Sequence, residues 1–112
     1  MDKLNILWTS DNENTAINMI HMYTTTAKKN GFFEDITVII WGGSNELIKK
    51  SPKVREAIVD MINKGINVKA CLSCAKNMGT EKIIESLGVK LEYMGEPLTK
   101  IIKDNNEYLI TI

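Results

Sequence analysis

Cys71 and Cys74 are the only cysteines of the chain, and they stand together in the stretch VKACLSCAKNMG at residues 68–79. Four chemistries suit such a pair: disulfide exchange, half of a metal site, carriage of sulfur, or the inert filling of a core by two small side chains. Three of the four need a thiolate, so the surroundings of the sulfurs decide among them. A structural zinc site takes four ligands, and the single His21 lies far away in the chain, so one subunit does not complete the set. Zinc then requires ligands shared between subunits. A thioredoxin-type exchanger carries its pair early, after the first βαβ elements, with a proline flanking a strand opposite it. Here the pair comes late, and Pro52 and Pro97 both read as helix starts.

The elements that must hold these thiols are legible from periodicity. Short β-branched runs at 4–9, 35–41, 67–71, 89–93 and 108–112 read as strands. SDNE at 10–13 has the spacing of a capping box, and Ala16, Ile20, Tyr23 and Ala27 then recur at helical intervals until Gly31. A second helix opens with Ser51 as cap and Pro52 at its first position, buries Val54, Ile58, Met61 and Ile62, and stops at Gly65. A third carries Ile83, Ile84 and Leu87 up to Gly88, and a short fourth begins at Glu96-Pro97 and runs through Ile102.

Strands separated by helices need crossover connections, which predicts a three-layer α/β/α domain with a mostly parallel five-stranded sheet. Only the last strand, after the short KDNN turn, has room to run antiparallel at an edge. In such a sheet, ligands and reactive groups gather beyond the carboxyl ends of the strands. Three loops are nominated: 9–12, 41–46 and 71–76. Cys71 closes the third strand, and Cys74 falls in the first turn of whatever helix follows, where unpaired amides and the helix dipole predict a depressed thiol pKa. Lys76 stands nearby as a further positive charge.

The remaining composition narrows the setting. One domain fits 112 residues, and Lys plus Arg balance Asp plus Glu at 14 each, so no net positive field draws nucleic acid or an anionic membrane. The start MDKLNILWTS is too weakly apolar for a signal peptide, and no run reaches membrane-spanning length. The expected location is the cytoplasm, where two cysteines are more often reactive or inert thiols than a structural disulfide.

From ILWTSDNENTAINMI through VIIWGGS and VKACLSCAKNMG to MGEPLTKII and the terminal LITI, the order of motifs resembles the small DsrE/DsrF-like family, related to YchN-type and sulfur-relay proteins. That resemblance covers residues 1–112 as a single DsrE/F-like domain. It implies a cysteine at the end of the third strand that accepts sulfane sulfur as a persulfide and hands it to a partner protein. Cys71, placed eight residues before Gly79, matches that cysteine. Cys74 falls where many relatives have a small apolar residue. The resemblance also implies trimers or hexamers with cysteine loops near subunit boundaries, and it calls for no cofactor.

Several further residues have two readings. Gly42, Gly43 and Ser44 after the second strand either cradle an anion or a sulfur-bearing loop, or form a plain tight turn with Ser44 capping the NELI turn. Thr9, Ser10 and Trp41 are candidate lining of the same site, although Trp8 and Trp41 also suit packing under the sheet ends. His21 lies off the buried face of the first helix and reads as a surface or interface residue. Ile17, Met22 and Thr24 to Thr26 leave that helix with an apolar outer face suited to a subunit contact. Two function classes follow: sulfur transfer through a Cys71 persulfide, or a non-catalytic oligomeric subunit that binds a small ligand or senses redox state through a Cys71/Cys74 dithiol.

Overall fold

The computed structural model describes residues 2–112. Five strands, β1 (Lys3–Trp8), β2 (Asp35–Ile40), β3 (Asn67–Cys71), β4 (Lys90–Glu92) and β5 (Glu107–Thr111), form one sheet in the order β4-β3-β2-β1-β5. Every pairing is parallel. The last strand is therefore no antiparallel edge. The helix at Gly95–Lys103 carries the chain from the carboxyl end of β4 back to the amino end of the sheet, so β5 starts level with β1, Lys3 beside Glu107.

The first helix, α1, is continuous over Glu13–Thr15, a π-helical stretch Ala16–His21, and Met22–Lys29. It does not open on the expected capping box. Asn12 is the cap, its Oδ1 accepting the Thr15 N–H at 2.9 Å, while Ser10 Oγ accepts the Asn12 N–H. The segment read as a turn after Ser44 is a helix, α2 (Ser44–Lys50). Helix α3 (Pro52–Asn63) forms as expected in its start and its core face: Ser51 Oγ accepts the Val54 N–H at 3.1 Å, Pro52 occupies the first turn, and Val54, Ile58 and Met61 are buried, while Ile62, expected to be buried, is only partly so. Two short helices, α4 (Leu72–Met78) and α5 (Glu81–Ser86), lie where one was expected, divided by Gly79 at φ 70°. The last helix, α6, is Gly95–Lys103.

The three layers are unequal. Alternation along the strands sends Leu4, Ile6, Trp8, Ile36, Val38, Ile40, Val68 and Ala70 to one face, where they join Ala16, Ile20, Leu47, Ile58, Met61, Ala75 and Ile84 in the main core. Helices α1 to α5 thus share that face. The other face carries α6 alone, whose contribution with the preceding loop is Met94 and Ile101 against Ile39, Cys71 and Leu7. Toward the amino ends of the strands this face is polar, with Lys3, Asn5, Thr37 and Lys69 bordering an open groove. No helix among the described residues is long and apolar enough to cross a membrane.

The outer side of α1 is only partly what the sequence suggested. Thr24 is fully buried and Ile17 packs against the core, whereas Met19 and Met22 are exposed. His21 is half-buried and engaged, its Nε2 lying 2.7 Å from Asp60 Oδ2, with Lys64 Nζ 3.0 Å from the same oxygen. The His21 hydrogen bond and then Lys64 hold the Asp60 carboxyl below its ordinary value. A depressed carboxyl stabilises the fold above its unfolded pKa and loses that contribution as pH falls through the folded one. Asp60→Asn is expected to lower stability near neutral pH by at most about 1 kcal/mol, since the pair is partly solvated. The gap from the parent in urea midpoints closes below about pH 4; a gap constant from pH 7 to pH 3 contradicts the assignment.

Candidate functional site

Both thiols meet at the carboxyl end of β3. Cys71 is the last residue of the strand and also the capping position of α4, with φ −68° and ψ 116°. Strand alternation points its side chain to the thinly covered face, where it packs with Ile39 and Met94 and is only 4% exposed. Cys74, one turn on in α4, is half-buried, and both residues are free cysteines. Cys74 packs against the small cluster to which Cys71 belongs, and the Gly42 backbone lies beside its thiol.

The Cys74 thiol departs from the sequence expectation. Burial pushes its pKa up; the Gly42 N–H works against that rise, and the neighbouring Cys71 sulfur adds to it. A two-turn helix offers only a partial charge at its start, and here desolvation and a second sulfur outweigh it. The Cys74 thiol is thus a weaker acid than its place at a helix start predicts.

These sulfurs open into a cleft of about 560 Å³. Cys71 and Cys74 form its floor with Trp41; Ser73 and Asn77 of α4 make one wall, and the loop from Tyr93 to Pro97 with Lys100 of α6 makes the other. Lys76 does not reach the thiols. Its Nζ donates to Tyr93 Oη at 3.0 Å, which raises the pKa of the exposed ammonium and pins the rim of the cleft. Another cleft, of about 480 Å³, lies elsewhere against Thr25, Thr26, Lys28, Lys29 and Lys64 and contains no cysteine. Among the described residues no group of three or more His, Cys, Asp or Glu converges as a metal site.

The remaining candidates divide sharply. Trp41 lines the cleft, whereas Trp8, 1% exposed, is the tryptophan that packs beneath the sheet end, its Nε1 donating to the Ser10 carbonyl. Gly42 does not line the cleft, and its backbone lies beside the Cys74 thiol. Gly43 is a packing residue, for a Cβ there would stand 2.5 Å from the Thr9 carbonyl oxygen. Ser44 caps nothing: it is buried, its Oγ donating to the Trp8 carbonyl at 2.8 Å and accepting the Trp41 N–H at 3.1 Å. Thr9 and Ser10 sit outside the cleft and anchor the chain end, both N–H groups reaching the Ile112 carbonyl at 2.7 and 3.1 Å.

Sequence reasoning missed two parts of the site. Beneath it, Thr80 Oγ1 donates to Asn45 Oδ1 at 2.7 Å and Asn45 Nδ2 donates to the Gly42 carbonyl at 2.9 Å, a buried chain joining the end of α4 to the loop that faces Cys74. The wall from Tyr93 to Lys100 was the other omission, although a fourth strand end, YMGEP, announces it by the same rule that nominated the first three loops.

No protein-family model and no curated protein sequence matches the chain. Among solved structures, a conserved protein of unknown function from Bacteroides thetaiotaomicron, BT1422, is 41% identical, with 99% of this chain and 95% of that one covered at a TM-score of 0.94. The ychN protein of E. coli superposes over 98% of this chain and 100% of its own with a TM-score of 0.71 at 12% identity, which establishes a shared YchN-like fold.

Proposed function

Because the chain belongs to the same family as BT1422, a conserved protein of unknown function, its activity has to be read from its own cleft, and we propose that it is a DsrE-like sulfur-transfer protein carrying a persulfide on Cys71. The observation that supports this most is the placement of two free thiols side by side at the end of β3, in one open cleft.

The step balances without a net oxidant. The Cys71 thiolate attacks the outer sulfur of a donor persulfide R–S–SH, the donor S–S bond breaks, and RS⁻ leaves, so Cys71–S–SH forms while R–S–SH becomes a thiol. Delivery reverses the roles: a partner's thiolate takes the terminal sulfur and Cys71 leaves as thiolate. A carrier has to expose sulfur to one incoming partner yet shelter the product from other thiols. The 4% exposure of Cys71 answers the demand for shelter, and the open cleft beside it gives a donor its approach. On this reading the protein works in a reducing cytoplasm, meets a sulfur donor or acceptor protein at the cleft, and assembles as a trimer or dimer of trimers through the Met19 and Met22 side of α1.

The low exposure of Cys71 also suits a second reading, in which the cleft binds a small ligand and the thiols do no chemistry. One experiment separates them. After incubation with a low-molecular-mass persulfide, the intact protein is expected to gain about 32 Da, one sulfur atom, reversible by dithiothreitol and mapped to the peptide holding residues 71–74. No gain at any donor concentration sinks the carrier and leaves ligand binding.

A further inference from the structure

The two edges of the sheet are built differently. Edge strands invite pairing with another chain unless they are short, charged, bulged or interrupted by proline. Strand β4 is guarded: it has three residues, and Lys69 and Lys90 close on its Glu92 at 3.2 and 3.5 Å. Strand β5 has five residues, EYLIT, with no lysine, arginine or proline, and its one charge, Glu107, accepts a hydrogen bond from Asn5 Nδ2 at 3.1 Å. Two large apolar side chains stand open on it, Tyr108 at 58% and Ile110 at 38%.

The backbone of β5 has a definite polarity. Ile112 donates its N–H to the Leu7 carbonyl and accepts from the Thr9 N–H, so its peptide groups face β1. Successive residues of a strand alternate direction. Tyr108 and Ile110 therefore also bond inward, while Leu109 and Thr111 direct both N–H and C=O away from the sheet, as Glu107 does its carbonyl; the Glu107 N–H is held by the Asp104 carbonyl at 3.3 Å.

We propose that β5 pairs with β5 of a second copy of this chain, antiparallel about a two-fold axis at Leu109, joining two sheets into one. In this register the two Leu109 residues exchange a pair of hydrogen bonds, and each Thr111 N–H meets the other copy's Glu107 carbonyl. The exposed side chains then oppose each other in complementary fashion, Tyr108 against Ile110 twice, in the closely spaced positions where aromatic and β-branched partners stabilise a sheet. Like charges never face one another, because Glu107 lies opposite Thr111. An isologous contact of this kind closes on itself, which a parallel head-to-tail use of the same edge does not. Tyr108 is already steadied for the contact by an edge-on Phe33 ring, centroids 6.1 Å apart.

Residues opposed in a hydrogen-bonded antiparallel pair have Cα atoms about 5.5 Å apart, within disulfide reach. Leu109→Cys, placed in a chain with Cys71→Ser and Cys74→Ser and oxidised with diamide, is expected to give a covalent dimer on non-reducing gels, and Lys90→Cys on the guarded edge to give none. Ile110→Lys, which installs the guard that β5 lacks, is expected to halve the particle mass seen by light scattering at tens of micromolar without changing the far-UV circular dichroism. A parent that runs at the mass of a single chain, a folded Ile110→Lys protein of unchanged mass, or a Leu109→Cys protein that stays uncrosslinked each overturns the proposal. Should Ile110→Lys fail to fold, the crosslinking pair decides alone.

Discussion

Cys71→Ser is expected to abolish the uptake of sulfane sulfur, while Cys74→Ser keeps it and holds it longer. Cys71 is the strand-end sulfur on the cleft floor, fixed by its place in β3. Serine preserves the shape and the hydroxyl in its place does not attack a persulfide at neutral pH. Cys74 has the opposite character. Its raised pKa holds back the thiolate, so it turns nucleophile only slowly. Once it does, its sulfur displaces HS⁻ from the Cys71 persulfide and leaves a Cys71–Cys74 disulfide, which a thiol reductant must reopen. Removing Cys74 closes that route. The measurement is the lifetime of the added sulfur mass in each variant. Loss of the mass in Cys74→Ser with retention in Cys71→Ser reverses the two roles, and equal lifetimes in parent and Cys74→Ser deny Cys74 any part in resolution.

Gly43→Ala is expected to cost about 1–3 kcal/mol of stability, the range for forcing extra atoms into a packed site. A Cβ at 43 would lie 2.5 Å from a backbone carbonyl, that of Thr9, and no rotamer change relieves a contact with backbone. Relief requires moving the loop that holds Thr9 and Ser10 on the Ile112 carbonyl, or the adjoining Gly42 that faces Cys74. Gly42 itself differs. It has open space around its Cβ position but φ +62°, so Gly42→Ala carries only the left-handed backbone penalty of roughly 1–2 kcal/mol. Urea midpoints test both, and a Gly43→Ala protein as stable as the parent contradicts the close approach.

What was legible in the chain follows from how local each signal is. The Ser51-Pro52 start of α3 and its buried Val54, Ile58 and Met61 depend on neighbours three and four residues away, and they stand as read. The end of β3 at Cys71 was equally plain, because strand propensity gives way there to helix within two residues. Ser44 was misread because a serine before a helical turn usually caps it; here the hydroxyl is claimed by Trp8 and Trp41, and Trp8 lies thirty-six residues away in sequence. The helix-start rule misjudged the Cys74 thiol for a similar reason. Its neighbours Ile39 and Gly42 come from β2 and the loop after it, which periodicity around residue 74 does not describe. The β4 to α6 wall of the cleft is marked in the sequence only as a fourth strand end, since none of its residues is a cysteine or histidine.

The uneven covering of the sheet gives the domain two different stabilities. On one side five helices share a continuous core, and opening any part of it approaches global unfolding. On the other, α6 holds a small apolar cluster by Met94 and Ile101. Such a unit opens sub-globally, at a free energy well below that of the whole molecule, as foldons with few buried contacts do. Cys71 belongs to that weaker side. Its protection thus depends on one helix and the loop before it, and not on the main core.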